Sequence, residues 1–222
     1  MKEKIKECFK EPVRGKINLF NLLIGGVLTF FPIVNLIPLG YLTEKLRRKL
    51  ENEEKVVGWE NLWYLMKSGW DTLILILGYF CIAIFFVFLG VIFIFPLSKG
   101  KIMSIFFLRG IVLINIGTII FLLGLFFLPF SIPVFLETKS LKKAFDIREV
   151  LSRILLKLND YLVLYITIIG VIVFSFVITF LLLNWVMGLL LGGFLYFYAG
   201  SVIINLISKF FPKKYFTVQL PF

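Results

Sequence analysis

Residues 73–96, 110–136 and 161–207 contain no Asp, Glu, Lys or Arg. About 20 apolar residues in a helix cross the hydrocarbon core of a bilayer, and the third stretch is long enough to cross twice. A soluble domain has no use for several such runs. The chain therefore reads as all-α, a polytopic transmembrane helical bundle with four clear spanning helices. Composition agrees, since 60% of the 222 residues are hydrophobic and Phe alone occurs 27 times. The third stretch divides at Leu183, Asn184 and Trp185, where a tight turn is expected.

The remainder sets the domain plan. Residues 1–16 form a polar head, a short helix broken at Pro12 and Gly15. Residues 17–42 are apolar but carry Gly25, Gly26, Pro32 and Pro38 with Asn18, Asn21 and Asn35, which suits a broken or re-entrant segment better than a plain span. Residues 43–71 form an amphipathic connection, densely charged at first. Its stripe of Trp59, Leu62, Trp63 and Met66 predicts a short helix at the headgroup level. Residues 72–207 hold the bundle and, at 141–159, a surface helix. There Asp146 and Glu149 make a capping-box-like start, and an apolar row from Ile147 to Leu158 opposes Arg148, Arg153 and Lys157. Pro129 and Pro133 suggest a kink or early exit from the second clear span, and residues 208–222 are a basic tail. No cleavable signal is expected, because the first apolar run comes late and lacks a small-residue cleavage pattern.

Basic residues fix the expected orientation. If all five apolar segments cross, Lys and Arg divide 15 against 9; if residues 17–42 enter and leave on one side, they divide 21 against 3. The positive-inside rule favours the second arrangement. In both, Asn184 faces outward and the large charged loops face the cytoplasm. The tail is on that side in both arrangements, and with 17–42 re-entrant the head joins it. The net charge of +11 thus lies beside spans, where it meets anionic headgroups. No nucleic-acid motif accompanies it, and no nucleic-acid partner is expected.

Little chemistry is on offer. His is absent, which removes the commonest general base and metal ligand. The clear spans hold no ionisable residue, which argues against a pump or a proton-coupled transporter. Asn115, Thr118, Thr167, Ser175, Thr179, Ser201 and Asn205 are expected to bond mainly within their own helices. Glu51, Glu53 and Glu54 read as a solvated face, and Cys8 and Cys81 as free thiols. No nucleophile elbow, phosphate loop or zinc motif is present. No catalytic residue, cofactor or metal is expected. Gly188 and Gly192 form a G-x-x-x-G, read first as packing within the chain and second as a homodimer contact.

The run from Gly25 and Gly26 through Pro32, Asn35 and Pro38 to Gly40 and Tyr41, then Arg47, Arg48 and Trp59, resembles a family of prokaryotic multi-pass proteins, domain of unknown function 4013. Residues 141–150 and 159–161 look like its second signature. The arginine usual soon after Gly-Tyr is replaced by Glu44 and Lys45, and the proline before the tryptophan by Gly58. The resemblance implies a membrane protein of four to six spans and no assigned reaction.

The resulting expectation is a non-enzymatic protein of the cell membrane that contacts lipid, organises the membrane or anchors a partner. Arg47, Arg48, Arg148 and Arg153 are the candidate contacts for anionic headgroups or a partner. Gly25, Gly26, Pro32, Asn35, Pro38, Gly40 and Tyr41 shape the broken segment. The alternative is a small permease or channel for an uncharged or lipid-like substrate, with a polar cavity at Asn21 and Asn35. A lipid-active enzyme would require two acids converging in a cleft.

Overall fold

A computed structural model describes residues 2–53, 56–94, 103–182 and 186–210, with side chains except at 103–106, 182 and 186–190. Among the described residues there is no strand. In chain order the helices are α1 (Lys2–Lys10), a 3-10 turn (Glu11–Val13), α2 (Lys16–Thr29), α3 (Leu36–Leu50), α4 (Leu62–Ile94), α5 (Met103–Thr138), α6 (Leu141–Ala144), α7 (Ile147–Leu155), α8 (Leu158–Leu182) and α9 (Val186–Phe210). Within them, Leu62–Ile94, Phe107–Thr138, Leu158–Leu181 and Leu191–Phe210 are long and apolar enough to cross a membrane.

α9 is the central helix: 56% of its most apolar stretch is buried, against 11% for α5. Around it sit Tyr161, Leu164 and Ile168 of α8, Leu46 and Leu50 of α3, and Phe130 and Val134 of α5. α4 and α5 pair closely because small residues meet backbone. A Cβ on Gly90 would lie 2.7 Å from the carbonyl oxygen of Gly110, and one on Gly117 2.9 Å from that of Ala83. The outward faces of this pair, including Phe85, Phe88 and Ile119, are exposed and, in a helix of this hydropathy, are for lipid to cover.

Several sequence boundaries move. The break in the first apolar segment lies at residues 30–35, around Pro32. Pro38 instead occupies the first turn of α3, where its missing N–H costs no helical bond. The division at 42/43 falls inside α3, which runs unbroken from apolar turn to charged base. The short helix expected over 58–70 is the first part of α4: Trp59 precedes it, and burial falls on Leu65, Gly69 and Thr72 instead of on Leu62 and Trp63. At 33 residues, about 50 Å, α4 exceeds the hydrocarbon core, so one end extends past it. α5 continues through Pro129 and Pro133 to Thr138, without an early exit. The surface helix of 141–159 is interrupted, with α6 and α7 separated at Phe145 and Asp146.

Candidate functional site: the folded-back hairpin and its charged base

α2 and α3 form a helical hairpin whose two ends meet. Lys49 of α3 bonds Glu11, just ahead of α2. Asn18 closes the same end, its Nδ2 donating to the carbonyls of Glu11 at 3.1 Å and Arg14 at 2.9 Å. The far turn reaches Gly193 of α9, where a Cβ would lie 2.6 Å from the carbonyl oxygen of Gly26. The segment thus returns to the end of the bundle it left. Asn18 thus serves backbone carbonyls at this end, whereas Asn35 stands exposed at the start of α3 without a capping bond.

Glycines set the depth of this packing. Gly25 and Gly26 face the rings of Phe197 and Phe194 on α9, with no room for a Cβ. Gly40 and Gly69 bring the α3 and α4 backbones into direct contact, and beside the crossing the Thr43 and Thr72 hydroxyls lie 3.0 Å apart. Tyr41 stacks on Trp59 with ring centroids 4.3 Å apart, and Phe197 packs on both. Beneath this aromatic group Asn21 accepts a 2.9 Å bond from Trp59 Nε1, while its own Nδ2 finds no partner.

The base is charged and largely self-neutralising. Glu44 is 2% exposed. Arg47 donates to it at 2.7 and 2.8 Å, Arg48 at 3.0 Å and the Tyr64 hydroxyl at 3.0 Å. Burial pushes the Glu44 carboxyl up, but those donors outweigh it and hold the group below the usual carboxylate value. Arg47 also reaches Glu51 at 3.1 Å, and Arg48 the carbonyl of Val56 at 3.0 Å. Burial, with Lys49 adding to it, lowers Lys45 to about 8. On the far side of Lys49, Asn205 Oδ1 accepts from its ammonium at 2.8 Å, and Asn205 Nδ2 donates to the carbonyl of Cys8 at 3.3 Å.

The four candidate arginines therefore differ. Arg47 and Arg48 are half-buried on Glu44. Arg153 is 8% exposed and held inside the protein between Glu149 at 2.6 Å and Glu137 at 3.2 Å. Arg148 is exposed, with no side-chain partner among the described residues. Asp146 caps α7 as its spacing suggests, accepting from the N–H of Arg148 at 3.0 Å and of Glu149 at 3.4 Å. α7 is apolar over a wider arc than the core uses: Val150 and Ile154 are buried, whereas Ile147, Leu151 and Leu155 stay exposed beside Arg148.

The expected helix-packing pair is seen in part. Gly192 meets Thr179 of α8, a contact within the chain; the surroundings of Gly188, like Asn184, lie outside the described residues. Asn115, Thr118, Thr167 and Thr179 bond carbonyls of their own helices, but Asn205 bridges α9 to α1 and α3. Cys8 and Cys81 are free. Among the described residues no group of acids, cysteines or histidines is placed to hold a metal.

Three features are not anticipated from the sequence: the Glu44 cluster, the Asn205–Lys49 bond and the Trp59–Asn21 bond. The Glu44 cluster has a legible signal, since Arg47 and Arg48 follow it at i+3 and i+4. The Trp59–Asn21 bond has none, as 38 residues separate its partners.

A helical membrane bundle with a folded-back amphipathic hairpin is the class this architecture defines. Within it, the chain belongs to the family described as protein of unknown function (DUF4013), whose profile matches residues 24–184. That match runs from the middle of α2 to just past α8, leaving out α1 and α9. Comparisons with curated proteins and with solved structures give no match.

Proposed function

We propose that the protein is a non-enzymatic membrane protein whose α6–α7 face lies on an anionic headgroup layer, so that the bundle organises lipid or holds a partner at that surface. One observation carries this reading. The apolar row Ile147, Leu151 and Leu155 is left over after α7 docks on the core, and exposed Lys142, Lys143 and Arg148 flank it. A helix with apolar side chains on one side and basic ones at the edge rests in the interface, fixed by burial and by attraction to anionic lipid. The positive-inside preference puts this face in the cytoplasm.

The hairpin supports an anchoring role over transport. A permease site would need a water-accessible polar cavity shared by Asn21 and Asn35. Asn21 is instead buried with its Oδ1 bonded to Trp59, and Asn35 is exposed in the turn. Two acids do converge, Glu137 and Glu149, but on Arg153, whose guanidinium bridges them and occupies both carboxylates.

The test is lipid selectivity in nanodiscs, read from the immobilised fraction of spin-labelled phosphatidylglycerol against phosphatidylcholine. Replacing Lys142, Lys143 and Arg148 with Gln is expected to bring the selectivity towards unity. Unchanged selectivity refutes the α7 contact.

A further inference from the structure

At the end of the bundle where the hairpin closes, a cleft of about 590 Å³ opens between α1, the 3-10 turn and the last turn of α9. Its volume is within the range of small-molecule sites. It is lined by Glu7, Lys10, Glu11, Val13, Arg14 and Lys209.

The charges in it do not cancel. Glu7 pairs with Lys209 at 2.5 Å, and Glu11 with Lys49. Lys209, by hydrogen bond and by charge, keeps the Glu7 carboxyl below its usual value, so that pair stays ionic. Lys10 and Arg14 are exposed, and their side chains make no hydrogen bond or salt bridge among the described residues. After both acids are paired the cleft therefore still offers two cations without a hydrogen bond or salt bridge among the described residues, Lys10 and Arg14, the second of which also acts on Glu7 by charge. Beside it α2 begins at Gly15 without a side-chain cap, so the first-turn N–H groups add to the attraction for an anion.

A second feature selects among anions. Val13, on the cleft wall, opens a row of exposed apolar side chains that continues along α2 through Ile17, Phe20 and Val27. A free phosphate has no use for that row, whereas an acyl chain covers it.

We propose that this cleft binds the phosphate of an anionic phospholipid, with Lys10 and Arg14 as its cationic contacts and one acyl chain laid along α2. The site goes beyond the α7 contact: it shares no residue with it, and the residues lining the cleft lie outside the part of the chain that the family profile matches. Arg14 and Lys10 supply the charge, Gly15 turns the chain into α2, and Ile17 and Phe20 meet the chain just below the headgroup. This is the usual division of a lipid between polar and apolar protein surface.

The experiment uses the full chain in a neutral detergent, titrated calorimetrically with short-chain phosphatidic acid and, separately, with inorganic phosphate. Saturable binding of the lipid is expected, with phosphate at least about tenfold weaker. Replacing Lys10 and Arg14 together with Gln should weaken the lipid by about 30-fold, since each cation near a lipid surface contributes about fivefold. Phe20→Ser should weaken the lipid and leave phosphate unchanged. With Lys142, Lys143 and Arg148 replaced by Gln the α7 contact is removed, and the lipid binding that remains should still be weakened by the Lys10 and Arg14 replacement, so that failure of the α7 contact and failure of this site are read apart. The proposal is overturned if the Lys10 and Arg14 replacement binds lipid like the parent. It is equally overturned if phosphate matches the lipid in affinity, because the acyl chain then adds nothing.

Discussion

Gly40→Ala tests whether the hairpin is seated by backbone contact. A Cβ at Gly40 would overlap the carbonyl oxygen of Leu65 and lie 2.6 Å from its carbonyl carbon and 2.9 Å from the nitrogen of Gly69. None of these is the end of a flexible side chain, so α3 and α4 must move apart. Overpacking of this kind costs about 1–3 kcal/mol. The same displacement stretches the Thr43–Thr72 and Tyr64–Glu44 hydrogen bonds, both 3.0 Å, at about 1 kcal/mol each. A total of about 3–5 kcal/mol follows. Two other glycines calibrate it. At Gly200 the added carbon meets only Leu42 Cδ1 at 2.6 Å, with the next atom at 3.8 Å, so a rotamer change suffices. At Gly170 it meets nothing within 4 Å, and alanine should gain up to about 1 kcal/mol of helix propensity. The assay is thermal unfolding in detergent, read by a thiol-reactive dye at Cys8, which is fully buried, in a Cys81→Ser background. Gly40→Ala should lower the midpoint by about 10 °C. A loss at Gly40 no larger than at Gly200 would refute the reasoning.

Acid sensitivity should centre on Glu44. Its folded value is held below the unfolded one, so its stabilisation is complete above about pH 4.5 and disappears as pH falls through the folded value. Glu44→Gln should therefore flatten the acid limb of a stability–pH curve and, with its arginines partly exposed, cost about 1–2 kcal/mol at pH 7. Lys45 has the opposite sign of dependence. Folding lowers it from 10.5 to about 8, the unfolded chain binds more protons between those values, and stability rises with pH across that window. Lys45→Met should abolish the rise and add about 1–2 kcal/mol at neutral pH, measured by the same melt. Trp59→Phe leaves the whole Asn21 amide unpaired and should cost about 1–3 kcal/mol. Asn21→Leu in that background should restore most of the loss; no recovery in the double variant would show that the bond is unimportant.

The spans were legible because the bilayer sets a length and forbids charge, and residues 73–96, 110–136 and 161–207 show both directly. The broken segment was legible for a related reason: Pro32 and the polar asparagines are costly in a plain span. Helix continuity across the membrane boundary was not. α3 and α4 each pass from apolar to charged sequence without a stop signal, and composition changes there while backbone geometry does not. Burial along the start of α4 went to Leu65, Gly69 and Thr72, because Gly69 admits α3 at backbone distance; an apolar stripe gives no weight to a glycine. The Asn205–Lys49 and Asn21–Trp59 bonds join residues far apart in the chain, so no local pattern announces them.

The same pairing changes how the net charge of +11 should be read. As a count it suggests a uniformly basic surface drawn to anionic lipid. Yet Arg47 and Arg48 share Glu44, Arg153 is held by Glu137 and Glu149, Lys49 by Glu11, and Lys209 by Glu7. Those cations are engaged in positioning the hairpin, α7 and α1 against the bundle, and their fields are largely cancelled within a few ångströms. Among the described residues, exposed cations without a hydrogen bond or salt bridge include Lys142, Lys143 and Arg148 on one face and Lys10 and Arg14 beside the cleft, with Lys2, Lys4, Lys6, Lys16, Lys67 and Lys139 elsewhere. Attraction to anionic lipid should then follow these unpaired cations and be screened by salt over about 10 Å at 0.1 M. Replacing Arg153 should chiefly destabilise the fold.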